Sequence, residues 1–267
     1  MAAKLAGGCQ GAAPYLLPHA SHYPMTPFVA ESVGTFMLLL IGGGVVANVL
    51  LEGTKGHGSG WMVITTCWAF AVYVGVVIAA PYSGAHLNPA VSIGLAVAGD
   101  FAWAQVPAFC LAQTLGAFLG AAATWLLYRD HFRLTEDATT KLGVFATIPA
   151  IRNYSSNFLS EAVGTFALVF TVLSFTDATL VGDDTTVVGL GSLGALPVAL
   201  LVWGIGLGLG GTTGYAINPA RDFGPRLAHA VLPIRGKGGS DWAYAWVPVV
   251  GPVVGGIVAG LVRLTLD

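Results

Sequence analysis

Apolar residues in this chain run in blocks too long for the interior of a soluble domain. Crossing a ~30 Å hydrocarbon layer takes roughly 20 mostly apolar residues. Six stretches meet that length: 28–51, 61–81, 103–127, 158–176, 188–210 and 243–263. The gaps at 52–60, 128–157, 177–187 and 230–242 hold most of the charge and read as loops. Two further pieces, 82–102 and 211–229, each follow an apolar span but have a different grammar. Each is a glycine-containing extended stretch, then Asn-Pro-Ala, then about ten helix-compatible residues (90–98 and 220–229). Asparagine is a favoured N-cap and proline is favoured at the first helical position, so each tripeptide opens a helix. At 1.5 Å per residue such a helix covers ~15 Å, half the membrane core.

The pattern is duplicated. Asn88-Pro89-Ala90 returns as Asn218-Pro219-Ala220, and the stretch from Phe28 to Phe36 returns from Phe158 to Phe166, both 130 residues later. Two motifs sharing one offset mark a repeated unit, about 28–127 and 158–263. Three crossings per unit return the second copy upside down, which makes an inverted repeat. The predicted fold class is an all-α membrane protein with six transmembrane helices and two re-entrant half-helices. The half-helices enter from opposite sides and their N-termini meet near the midplane. The last span also matches, with Gly116 against Gly255, at an offset of 139. The second unit therefore carries about nine extra residues before that span. Small residues at helix-packing spacing (Gly116 and Gly120, Gly251 and Gly255, Gly256 and Gly260) let spans approach closely.

Composition agrees and narrows the function. Only 9% of residues are charged and 55% are hydrophobic, where soluble domains carry about 25% charge. A net charge of −2 gives no reason to expect a nucleic-acid partner. Cys9, Cys67 and Cys110 form no disulfide framework, and the two in apolar runs read as small buried hydrophobes. His19 and His22 with Cys9 nearby are the one conceivable metal cluster in the leader 1–27, and nothing else supports it, so no metal or other cofactor is expected. HExxH, GxSxG and nucleotide-binding glycine motifs are missing, which argues against an enzyme and against nucleotide-driven transport. A membrane protein with a closed pore, in a structural or signalling role, is a further rival that vesicle swelling would separate from a channel.

Bare backbone at membrane depth is tolerated only when buried or lining a water-filled cavity. Gly84, Gly211 and Gly214 permit extended conformations there. The carbonyls of Gly84, Ala85 and His86, and of Gly214, Tyr215 and Ala216, then form a ladder of acceptors, with the Asn88 and Asn218 amides as central donors. This is a polar track through an apolar protein.

Paired Ser-Gly-x-His-x-Asn-Pro-Ala and Asn-Pro-Ala-Arg segments on six spans resemble the aquaporin (major intrinsic protein) family over about 28–263. The run Asn218-Pro219-Ala220-Arg221-Asp222-Phe223-Gly224-Pro225-Arg226, the longer second loop and Pro248 resemble its glycerol-facilitator branch, bacterial members most closely. The resemblance implies the aquaporin fold and a passive channel for glycerol and other small neutral polyols, with water. A mainly water-selective pore is the alternative. By spacing from the motifs it implies a selectivity filter of Trp68, Gly206, Tyr215 and Arg221. Water-selective members usually have histidine at the position of Gly206, so the missing side chain is expected to widen the slot. Trp68 and Tyr215 would face the CH side of a polyol and Arg221 its hydroxyls. The half-helix N-termini and Arg221 would repel cations and protons. Glu31 and Glu161 resemble carboxylates that brace the re-entrant loops, His86 reads as a satisfied core histidine, and Asp222 is expected to position its loop. The resemblance also implies a homotetramer in the lipid bilayer of the plasma (inner) membrane with both termini in the cytoplasm. Nine of the 11 basic residues then face outward, against the positive-inside rule.

Overall fold

The computed structural model describes residues 25–180 and 183–266; most of the leader, with Cys9, His19 and His22, lies outside them. Three long helices come first: α1 (Pro27–Leu50), α2 (Trp61–Ser83) and, after a half-helix α3 (Pro89–Ala98), α4 (Val106–Leu127). The charged connection contains two short helices, α5 (Arg129–Leu134) and α6 (Ala138–Gly143). The second unit has α7 (Tyr154–Val172), α8 (Leu196–Gly208), the half-helix α9 (Pro219–Val231) and α10 (Val247–Leu266), whose first turn carries Pro248.

The charged gaps are more structured than a loop reading predicts. Asp137 caps α6, accepting from the Thr140 N–H at 2.6 Å, and hydrogen bonds from the Thr140 side chain and then its backbone pull the carboxyl below the ordinary value. Between α7 and α8 lies a two-stranded antiparallel ribbon, β1 (Thr179–Leu180) and β2 (Asp183–Val187). It is an addition to the all-α expectation and lies outside the spans. Two spans are also displaced. α7 starts at Tyr154 because Asn153 caps it, its side chain accepting from Ser156 N–H. α8 is preceded by a 3₁₀ turn, Gly191–Ala195, and its own α-helical part is only 13 residues long. Among the described residues five helices, the 3₁₀ turns included, are long and apolar enough to cross a membrane. α7 falls outside that group because Asn157 and Glu161 lie within it, and both are buried in the protein.

The units interlock. α1 packs on α4 as α7 packs on α10, and each half-helix packs on the last span of the other unit, α3 on α10 and α9 on α4. Glycines set these distances. A Cβ on Gly116 would lie 2.2 Å from Ser32 O, and one on Gly255 would lie 2.2 Å from Ala162 O, 130 residues after Ser32. A Cβ on Gly256 would meet Ala90 O at 2.5 Å and one on Gly224 would meet Thr114 O at 2.8 Å. No real side chain fits at such distances, so these backbones touch.

Candidate functional site: a polar track between two half-helices

The half-helices meet tip to tip. Asn88 Oδ1 accepts from Ala90 N–H at 2.9 Å, and Asn218 Oδ1 accepts from Ala220 N–H at 3.0 Å and Arg221 N–H at 3.2 Å. Each amide also crosses the axis: Asn88 Nδ2 donates to Ile217 O at 2.7 Å and Asn218 Nδ2 to Leu87 O at 2.8 Å. An amide NH₂ has two protons. One locks the opposite loop and one remains for whatever occupies the track. Both asparagines border a cavity of about 310 Å³, as does Leu87. Pro89, Ala90, Pro219 and Ala220 are buried behind them as the first helical turns.

The loops leading into the half-helices are not simply extended. Gly84 and Gly214 both have φ +82°, but four loop residues with side chains also take positive values: Ala85 (54°), Leu87 (52°), Tyr215 (38°) and Ile217 (42°). Gly211, expected to be needed there, is not among them. Each such non-glycine residue costs on the order of 1–3 kcal/mol and persists only where its surroundings over-determine it. Two buried carboxylates do this. Glu31 Oε1 accepts from His86 N–H (2.9 Å) and Ser83 Oγ (2.6 Å), and its Oε2 accepts from Leu87 N–H and Gln113 Nε2 (both 2.7 Å). Glu161 Oε1 accepts from Ala216 N–H (2.9 Å) and Oε2 from Ile217 N–H (2.7 Å). The loop N–H groups are drawn toward the carboxylates. All six residues carrying the expected carbonyl ladder border a cavity, Gly84, Ala85, His86, Tyr215 and Ala216 on one side and Gly214 and Tyr215 on the other.

Two cavities, of about 310 and 350 Å³, are bordered in common by Trp68, Tyr215 and Arg221, which therefore stand between them. The Arg221 guanidinium lies over the Trp68 ring, 4.3 Å from its centroid. The tryptophan is backed by Gly42 of α1, where a Cβ would come within 2.5 Å of the ring. Gly206 borders neither cavity. A Cβ there would lie 2.8 Å from Tyr215 Cζ and 3.0 Å from its Oη. The space beside Gly206 is taken by the tyrosine ring, so Gly206 stands behind Tyr215.

That ring has a cradle that sequence reasoning missed. Trp61 meets it edge-on at 5.7 Å and donates its Nε1–H to Gly206 O at 3.1 Å. Gly210 lies flat beneath it, since a Cβ there would be 2.5 Å from Tyr215 Cδ1. The spacings were visible: Trp61 lies two helical turns before Trp68, and Gly210 one turn after Gly206.

The remaining polar residues make their contacts within the fold. His86 Nδ1 lies 2.9 Å from Ser92 Oγ, and its ring packs on Phe101 and Phe109. Asp222 accepts from Thr147 N–H and Oγ1 and from Arg226 Nε at 2.7–2.8 Å, tying α9 to the segment after α6. Neither Asp222 nor Arg226 is exposed at all. Outside the membrane, Asp241 pairs with Arg152 and raises its pKa through that hydrogen bond. Among the described residues no group of three or more His, Cys, Asp or Glu could hold a metal.

An inverted repeat whose two half-helices abut through reciprocal asparagines defines the aquaporin fold in a multi-pass membrane protein. The family model for "Major intrinsic protein" matches residues 20–263, and the chain belongs to that family. Among curated relatives, a "Probable glycerol uptake facilitator protein" from Thermotoga maritima is 53% identical over 85% of this chain and 93% of its own. "Glycerol uptake facilitator protein 3" of Lactiplantibacillus plantarum is also 53% identical, over 84% and 89%. Among solved structures, the aquaglyceroporin from Plasmodium falciparum superposes with a TM-score of 0.75 at 32% identity, covering 88% of this chain and 93% of that one.

Proposed function

We propose that this protein is a passive channel for glycerol and other small neutral polyols, with water passing by the same route, and that it is not an enzyme. The observation that carries the reading is the Trp68–Tyr215–Arg221 constriction between two cavities. Two aromatic faces suit the carbon side of a polyol, and one guanidinium suits its hydroxyls. The names of the relatives point the same way. Trp68, Tyr215 and Arg221 act as the selectivity filter, with Gly206 behind the tyrosine rather than in the wall. The carbonyls of residues 84–86 and 214–216 replace lost hydration along the track, and the second amide protons of Asn88 and Asn218 contact the permeant at its centre. Arg221 and the abutting positive ends of α3 and α9 raise the energy of a cation there.

The test is glycerol flux into liposomes containing the purified protein, with water flux beside it. Glycerol flux at the empty-liposome level with water flux intact would sink the reading. That outcome is the alternative of a mainly water-selective pore, and the Tyr215 ring filling the space over Gly206 favours it. Assembly as a homotetramer in the plasma membrane belongs to the same proposal and rests on resemblance; light scattering of the detergent-solubilised protein tests the stoichiometry.

A further inference from the structure

At the loop end of α4 a cavity of about 190 Å³ is bordered by Arg129, Arg133 and Arg235, with Trp125 and Phe132 as its apolar side. The three guanidinium groups come from two segments more than a hundred residues apart in sequence. Arg133 pairs with Asp130 at 3.0 Å, an exposed contact. Among the described residues no carboxylate pairs with Arg129 or Arg235, and all three arginines are exposed. Residues 1–24 contain no Asp or Glu. Asp183 and Asp184 belong to the α7–α8 connection, which the helix order puts on the opposite face of the membrane. Like charges gathered round one cavity repel unless an anion sits among them.

Position identifies that anion. Arg129 lies two residues beyond the end of a membrane-spanning helix, hence at the level of the lipid headgroups. Directly below it, Leu126 and Leu127 are 61% and 72% exposed. Leu111, Leu115 and Leu119 extend exposed apolar surface down the same helix at one-turn intervals. Arginine's planar fork suits phosphate oxygens, and basic pockets at the ends of membrane helices suit anionic headgroups. We propose that Arg129, Arg133 and Arg235 bind the phosphate of an anionic phospholipid whose acyl chain lies along the exposed leucines of α4. The site is separate from the track and independent of which solute passes.

The test is native mass spectrometry of the full-length protein in detergent with equal amounts of phosphatidylglycerol and phosphatidylcholine. The expected result is preferential phosphatidylglycerol adducts, weakened about fivefold per arginine removed in Arg129→Gln/Arg235→Gln. They should be unchanged in Lys55→Gln, an exposed basic residue of the neighbouring loop on the same side. Arg235→Gln alone, in an exposed loop, serves if the double variant fails to fold. Equal adducts of both lipids, or an equal loss in Lys55→Gln, overturns the proposal. Displacement of the lipid by millimolar inorganic phosphate overturns it too, because the ligand is then free phosphate.

Discussion

Replacing Gly206 by alanine tests how the constriction is built. The new methyl would stand 2.8 Å from Tyr215 Cζ, 3.0 Å from its Oη and 3.1 Å from Thr65 Cγ2. Comfortable carbon contacts are about 3.5–4.0 Å, so the ring must shift by roughly 0.7 Å or more. Retreat is blocked, because the ring already lies against Gly210 and meets Trp61 on its edge. It moves instead toward the track, opposite Trp68 and Arg221. Overpacking of this kind costs about 1–3 kcal/mol. If the glycerol-filled state bears that cost, glycerol flux falls about 5- to 150-fold, at roughly tenfold per 1.4 kcal/mol. Water needs less width and loses far less. Stopped-flow light scattering of proteoliposomes reads both fluxes. Gly204→Ala is the matched control: it sits on the same helix, gains the same helix propensity, and its Cβ meets nothing within 4 Å. A wild-type glycerol-to-water ratio in well-folded Gly206→Ala would refute the reasoning.

Glu161→Gln puts an NH₂ where either Ala216 or Ile217 N–H now donates, orphaning a buried donor beside two positive-φ residues. Thermal denaturation should show a loss of about 2–5 kcal/mol, with both fluxes reduced together; an unchanged melting profile argues against the brace. Arg221→Val removes the fixed charge over Trp68, and proteoliposomes carrying it should leak protons or cations while still passing glycerol. Unchanged proton conductance would count against an electrostatic role. Arg226→Met leaves Asp222 buried and unpaired and should destabilise by about 3–5 kcal/mol, measured by the same denaturation; wild-type stability would show that Thr147 alone suffices for Asp222.

What was legible in the chain was whatever repeats. Glu31 and Glu161, the two asparagine caps and the proline-led half-helices sit 130 residues apart, and repetition separates them from background. The asymmetric parts were harder to read. Trp61 and Gly210 act only through the approach of α2 to α8 and through Tyr215, whose partner in the first unit is Ala85. The positive φ of Ala85, Leu87, Tyr215 and Ile217 left no sequence signal, because buried carboxylates rather than glycine impose it. α7 starts early because its N-cap outweighs its weak hydropathy, and α6 forms because Asp137 caps it.

Orientation is where the sequence pulled two ways, and the structure changes the weights. With both termini inside, Lys55, Arg129, Arg133, Lys141, Arg152, Arg221, Arg226, Arg235 and Lys237 lie on the outer side against Lys4 and Arg263. Several of these are committed within the fold. Arg226 is buried on Asp222, Arg221 lies over Trp68, and Arg152 pairs with Asp241. Lys141 is only 3% exposed and donates to Arg235 O, and Lys237 donates to the carbonyls of His229, Ala230 and Leu232 past the last turn of α9. That leaves Lys55, Arg129, Arg133 and Arg235 facing outward, a smaller excess for the positive-inside bias to resist. The side is read by a single cysteine in a background without Cys9, Cys67 and Cys110. Lys141 is too buried to report, so exposed Glu136 takes its place, with exposed Asp177 as the opposite-side control. An impermeant thiol reagent should label Glu136→Cys in intact cells and Asp177→Cys only after lysis. The reverse pattern means that the protein inserts the other way up, with Arg129, Arg133 and Arg235 held in the cytoplasmic leaflet.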